Sequence, residues 1–224
     1  MSKYIPLGIH CCATFALEAA GLREYLYPFD SHWTPSQTSY SILKILLTDG
    51  IETAIQYMVT DYKYYVQSVN TEEFFLVDYK TYNQNNPKTG LSIGHHIINE
   101  EFAAKLRRRF TRLLADIQSD KEIKFIYCDT TGPYYNYVID GVEYGIDATP
   151  YLEKIYYLIY PHNPNIEIIY FCWPKRERIH DKITYRPFTV VANNGFECRE
   201  RLTEFITNYL LIYTNKVSVA REPV

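Results

Sequence analysis

Two strand-like segments on either side of a helix constrain the fold of this chain more than any other feature. KEIKFIYCD (residues 121–129) and NIEIIYFCW (165–173) are short and largely apolar, which is typical of strands buried on both faces. Between them, TPYLEKIYYLIY has a helical pattern with proline near its start. A strand, a helix and a second strand in this order predict parallel pairing, because parallel neighbours need a long crossover connection.

An antiparallel hairpin is also predicted. Asp140-Gly141 lies between two alternating apolar stretches, which is the pattern of a two-residue hairpin turn. The fold class is therefore α/β or α+β, with a mixed sheet flanked by helices. Since no linker, repeat or low-complexity tract interrupts the 224 residues, we expect one domain spanning residues 1–224.

The remaining elements follow from local patterns. We expect an edge strand at 3–8 containing Pro6, a helix that begins near Cys11 and closes at Gly21, and a helix at 100–118 capped by Asn99. The other predicted elements are two helices around Asp49-Gly50, strands at 72–82, 91–98 and 181–195, and a helix at 196–213.

Composition excludes several classes of function. A net charge of -3 gives no reason to expect a nucleic-acid partner or an anionic membrane surface. No apolar run is long enough to cross a membrane and the amino terminus has no signal pattern, so we expect an intracellular, cytoplasmic protein. The 23 tyrosines are typical of low-GC genomes, including those of large DNA viruses, which leaves a location in a virion open.

The number and spacing of the cysteines do not indicate disulfides or a metal site. Their positions (11, 12, 128, 172 and 198) give an odd count without paired spacing, and no CxxC or HxxxH pattern occurs. We therefore expect at least one thiol outside any disulfide, no metal site and no cofactor.

Cys11 and Cys12 lie where a strand becomes a helix. Gly8 permits a tight turn there, and the amino end of a helix lowers the pKa of a nearby thiol, which favours a nucleophile. The alternative is that both cysteines are small buried hydrophobic residues.

A nucleophilic thiol also needs a base. His95 and His96 lie on a predicted strand, where neighbouring side chains point to opposite faces, so only one of them can meet the thiol. His32, His162 and His180 lie in polar loops, where we expect them to be exposed. The group that orients the imidazole could be Asp30 or one of several other carboxylates or amides.

Several short motifs occur in an order that resembles a known family. They are Leu7-Gly8 with Cys11, Leu22-Arg23, Pro28-Phe29-Asp30, a histidine at 95 or 96, and Arg108-Arg109 with Arg112 before the strand IKFIY. Together they resemble a family of unknown function whose members are described as papain-like cysteine peptidases, over roughly residues 4–128.

The resemblance implies a papain-like arrangement with Cys11 as nucleophile and His95 as base, His96 being second. It carries over Asp30 as a motif position, which we interpret as the orienting group. No glutamine precedes Cys11 closely, so the backbone N–H groups of Cys11 and Cys12 would hold the oxyanion.

The leading hypothesis is a thiol hydrolase or acyl transferase that acts on a peptide, an amide or a thioester. The alternative is a non-catalytic structural or interaction protein, such as a viral assembly component, whose ligand is another protein. A third hypothesis places a sugar or nucleotide site in the loop 129–132. Arg107, Arg108, Arg109 and Arg112 are expected to form a solvated helix face, or to pair with Asp30 or a substrate anion.

Overall fold

The described part of the protein is built around a parallel β-sheet. The structure is a computed structural model, and it describes residues 2–8, 11–30, 32, 34, 36–59, 85–86, 91–92, 99–128, 137–139, 142–144, 148–172, 180–188 and 195–219. The strands are β1 (Lys3–Pro6), β2 (Asn85–Asn86), β3 (Leu91–Ser92), β4 (Ile123–Cys128), β5 (Tyr137–Ile139), β6 (Val142–Tyr144), β7 (Ile166–Cys172) and β8 (Ile183–Pro187). The helices are α1 (Cys11–Ala19), α2 (Ser36–Thr48), α3 (Ile51–Val59), α4 (Glu100–Ile117), α5 (Thr149–Ile159) and α6 (Gly195–Val219).

The main sheet has four strands in the order β1-β4-β7-β8, and each neighbouring pair is parallel. Ile5 lies opposite Phe125, and Phe125 lies opposite Ile168. β1 is an edge strand, as the proline at its end predicted. The α/β class and the parallel pairing of β4 with β7 are confirmed.

Antiparallel pairing occurs in two separate two-stranded sheets, β2-β3 and β5-β6. In the second, Ile139 pairs with Val142, so two residues connect the strands as predicted. Those two residues lie outside the described part of the chain, as do the predicted strand at 72–82, the 129–132 loop and residues 93–98. The single-domain organisation stays a prediction.

The sheet separates two apolar cores because alternate side chains point to opposite faces. On one face, Ile5, Phe125 and Ile168 are buried together with side chains of α2, α3, α4 and α5. On the other face, Ile126 and Ile169 are buried together with side chains of α1 and α6. Helix α1, which begins at Cys11, therefore packs with α6 on the second face of the sheet.

Helix α4 follows its sequence closely. The side chain of Asn99 accepts a hydrogen bond of 2.9 Å from the backbone N–H of Phe102, which is the N-cap geometry that the sequence predicted. Its apolar stripe is buried against the first core. No helix in the described ranges is long and apolar enough to span a membrane.

Candidate active site

The turn from β1 into α1 depends on Gly8. Its φ is +98°, and a Cβ added there would lie 2.7 Å from Cβ of Thr34 and 2.8 Å from the Thr34 carbonyl oxygen. The left-handed backbone and the close approach both require glycine. The hydroxyl of Ser39 also fixes the backbone before Gly8, because it donates a 2.6 Å hydrogen bond to the carbonyl of Leu7.

Cys11 and Cys12 have different environments. Cys11 is the first residue of α1 and is partly exposed, whereas Cys12 is 1% exposed and packs in the second core. Of the two cysteines, Cys12 is therefore the small buried hydrophobic residue that the sequence allowed both of them to be. Cys11, Cys12, Cys128 and Cys172 form no disulfide, and the side chain of Cys198 lies outside the described part of the structure.

The Cys11 thiol does not have the lowered pKa that its position at a helix start suggested. Burial raises its pKa, and the charge of Arg199, a hydrogen bond from the Arg199 side chain and a backbone hydrogen bond oppose this effect only in part. The loss of water around the sulfur outweighs these favourable contacts. Near neutral pH the thiol is protonated, and it needs a base to react.

Asp30 lies beside the first turn of α1. It is 1% exposed, and its carboxylate accepts hydrogen bonds from the backbone N–H of Tyr27 and the hydroxyl of Thr14. Thr14 is three residues after Cys11, so the residue that binds the carboxylate and the residue that carries the thiol lie on the same helical turn. Burial raises the pKa of Asp30, with the Tyr27 N–H, Arg23, Thr14 and Arg109 acting in the opposite direction.

One oxygen of this carboxylate is available for another donor. Oδ1 of Asp30 is buried and, within the described structure, has no hydrogen-bond donor; Arg23 Nε lies 3.7 Å away. Arg109 is 8% exposed, and its charge also acts on Asp30. Among the described residues, the charges near this buried carboxylate are therefore positive, and only one of its two oxygens accepts a hydrogen bond.

The arginines of α4 divide between the two predicted roles. Arg107 and Arg108 are exposed, and Arg107 Nη2 donates to Glu52 at 2.6 Å. Arg109 instead faces inward and stabilises the ionised form of Asp30. Arg112 donates to the carbonyl of Leu26. The solvated face is confirmed for the first two residues, and the electrostatic link with Asp30 holds for Arg109.

The histidines differ from expectation in one important case. His32 is 1% exposed and its ring meets Phe102 edge to face, with centroids 6.0 Å apart, so the prediction that it is exposed is wrong. The backbone N–H of His32 donates to the carbonyl of Phe29, and the ring packs against Phe102 of α4. His162 is exposed as predicted, whereas His180 is partly buried.

His95 and His96 lie outside the described residues, so their pairing with Cys11 stays a prediction. In the described ranges, no group of three or more His, Cys, Asp or Glu residues could hold a metal ion.

Sequence reasoning missed two charged residues. Arg199 next to Cys11 has no local signal, because it is one of several charged residues on a terminal helix. Lys124 did have a signal: it is the one charged residue in the apolar run IKFIYC of β4. It is 2% exposed and holds Glu167 at 2.7 Å.

Comparison with known families identifies the first half of the chain. Residues 2–132 match the model of a family described as "putative papain-like cysteine peptidase". The chain belongs to this family. The match includes Cys11, Asp30, His95 and His96, whereas Arg199 lies beyond it. Neither the search of curated proteins nor that of solved structures found a match.

Proposed function

We propose that the protein is a thiol hydrolase or acyl transferase in which Cys11 is the nucleophile. The observation that carries the proposal is the position of Cys11, partly exposed at the first residue of α1 and directly after the Gly8 turn. The family to which the chain belongs supports the same chemistry. Peptides, amides and thioesters are the substrate classes that this chemistry suits.

In the proposed reaction, His95 removes the proton from Sγ of Cys11, with His96 as the second candidate. The sulfur then attacks the substrate carbonyl carbon; a C–S bond forms, and the π electrons of the carbonyl move to its oxygen. The N–H groups of Cys11 and Cys12 stabilise this oxyanion. When the intermediate collapses, the leaving group takes the proton from the imidazolium, and water or an acceptor nucleophile later releases the acyl group.

The environment of Cys11 favours a mechanism in which the base removes the thiol proton during the reaction, rather than one that starts from a thiolate–imidazolium ion pair. Because burial raises the pKa of the thiol, little thiolate is present before a base acts. The position of Asp30 beside the first turn of α1 supports its role as the orienting group, since its buried Oδ1, which accepts no hydrogen bond from the described residues, could accept one from an imidazole N–H.

Replacement of Cys11 tests the proposal. A panel of fluorogenic peptides, arylamides and thioesters is incubated with the wild-type protein, Cys11→Ala and the matched control Cys12→Ala. We expect Cys11→Ala to lose at least about a thousandfold in rate, since removing a nucleophile leaves only the remaining binding interactions, while Cys12→Ala keeps turnover. Equal rates for Cys11→Ala and wild type would rule out the nucleophile.

The raised pKa of Cys11 favours a second candidate, a non-catalytic structural or interaction protein on the same scaffold, such as a virion component. This candidate predicts that the whole substrate panel stays intact. Turnover that Cys11→Ala abolishes and Cys12→Ala retains argues against it.

A further inference from the structure

Helix α6 holds Arg199 against the amino end of α1. The Sγ atom of Cys12 lies 3.8 Å from the Arg199 carbonyl oxygen, so the two helices are in contact at this residue. One turn further along α6, Leu202 is buried in the same core as Ala13 and Leu17 of α1. The backbone of Arg199 is thus fixed relative to Cys11 by packing on both sides.

The side chain of Arg199 reaches the Cys11 sulfur and donates a hydrogen bond to it. Among the described residues, β4 contributes the apolar side chain of Ile126 and the thiol of Cys128 to the core that α1 packs in. Lys124 lies toward the other end of that strand and is bound to Glu167.

The nearby carboxylates of Glu197 and Asp30 bind other groups. Glu197 accepts from Arg201 on α6. Asp30 is bound to Thr14 and Tyr27. Within the described structure, Arg199 is therefore the charged group that acts directly on the thiol.

We propose that Arg199 is a positioning residue whose guanidinium orients the Cys11 sulfur and stabilises the thiolate that forms when a base takes the proton. The step is balanced: the S–H bond breaks, the proton goes to the base, and the negative sulfur is held by a positive hydrogen-bond donor. Its importance for catalysis rests on the proposed function, but its effect on the thiol does not.

This assignment gives the carboxyl-terminal helix a part in the site. Cys11 lies within the residues that match the family model, and Arg199 lies beyond them. The site is therefore assembled from both halves of the chain, and the matched segment alone lacks the group that stabilises the thiolate.

The test measures the pH dependence of Cys11 alkylation in the full-length protein. Iodoacetamide is the probe because it is uncharged, and fragment mass spectrometry distinguishes modification of Cys11 from that of Cys12. We expect Arg199→Met to move the rate profile to higher pH and to slow alkylation at pH 7.5 about tenfold. The reason is that a positive charge in contact with a thiol lowers its pKa by about one unit or more, and the variant loses that charge. Arg199→Lys keeps the charge and should restore most of the rate.

Arg201→Met is the matched control, because Arg201 lies on the same helix and pairs with Glu197. It should leave the profile unchanged. Near-ultraviolet circular dichroism and thermal melting check the fold. If Arg199→Met unfolds, Arg199→Gln replaces it, since glutamine keeps a donor without the charge, and it too should move the profile to higher pH. An Arg199→Met or Arg199→Gln profile that superimposes on the wild type overturns the proposal, and so does a lysine variant as slow as the methionine variant.

The outcome is separable from that of the proposed function. Alkylation needs no substrate. If the Arg199 variants shift the pH profile but the protein hydrolyses nothing, the role of Arg199 at the thiol is supported and the proposed enzymatic function is rejected. If turnover depends on Cys11 but the profile does not shift, only the role of Arg199 is rejected.

Discussion

At the scale of single residues, Gly8 shapes the candidate site most directly. Its positive φ and the 2.7 Å approach to Thr34 leave no room for a side chain. We expect Gly8→Ala to lower the free energy of unfolding by about 2–3 kcal/mol, because a strained backbone and a clash add. Urea denaturation measures this loss.

Gly21 provides the matched control for that substitution. It also has a positive φ, of 68°, but a Cβ there would meet nothing within 4 Å. Gly21→Ala should therefore cost only about 1 kcal/mol, the strain of a left-handed residue. Equal losses for the two variants would show that contact with Thr34 adds nothing.

Asp30 gives a second prediction at this scale, because burial raises its pKa in the folded protein. The folded state then binds more protons than the unfolded state between the two pKa values, so stability falls as pH rises through the folded pKa. Asp30→Asn lacks this titration and keeps an acceptor for the Tyr27 N–H. We expect the wild type to lose stability relative to Asp30→Asn from pH 4 to pH 8.

Urea denaturation of both proteins across this range measures the difference, and titrations common to both cancel. A relative stability of the wild type that rises with pH would mean that Arg23 and Arg109 outweigh the desolvation of the carboxylate.

At the scale of elements, a buried ionic network joins the sheet to α6. Lys124 of β4 donates to Glu167 of β7 at 2.7 Å and to the Tyr213 hydroxyl at 3.0 Å, and it forms a 2.9 Å ion pair with Glu122. Burial alone would lower its pKa, but hydrogen bonds with Glu167, Tyr213 and Glu122 outweigh that effect and raise it. Folding therefore favours the charged form of Lys124, and it does so at every pH up to and above the ordinary pKa of lysine.

Lys124→Met should lower the free energy of unfolding by about 2 kcal/mol at pH 7, since it removes charged hydrogen bonds and leaves Glu167 partly buried. The stabilisation by Lys124 is lost only as pH rises above the ordinary lysine value, so it should be constant from pH 6 to pH 9. Lys105→Met, which removes an exposed pair with Glu101, is the control and should cost less than about 0.5 kcal/mol. Equal losses would contradict a structural role for the network.

The elements themselves were largely predictable because their signals are local. The cap of Asn99 and the buried run of β4 follow from a few consecutive residues, and both are confirmed. The burial of His32 was not predictable in this way, because it depends on a contact with Phe102 of α4, which is far from it in the sequence. The sequence around it is polar, which is typical of exposed loops.

At the scale of the whole molecule, the order of the strands could not be predicted. β1 lies beside β4 although a long stretch of chain separates them, and this choice depends on which faces bury apolar surface. The contact between Cys11 and Arg199 depends on the same arrangement, since α1 and α6 pack on one face of the sheet. Sequence motifs indicated Cys11 as the candidate nucleophile, whereas the charged residue beside it, Arg199, could be found only in the folded structure.

If Cys11 is a nucleophile, an acyl substrate should modify it with the help of a histidine. Intact-protein and fragment mass spectrometry after mixing with p-nitrophenyl acetate, an activated ester, tests it most directly, with His95→Ala, His96→Ala and Cys12→Ala in parallel. We expect an acyl group on Cys11 that forms rapidly in the wild type and in Cys12→Ala, and at least about a hundredfold more slowly in the variant that lacks the base. An unmodified Cys11, or a wild-type acylation rate in both His95→Ala and His96→Ala, would rule out this mechanism.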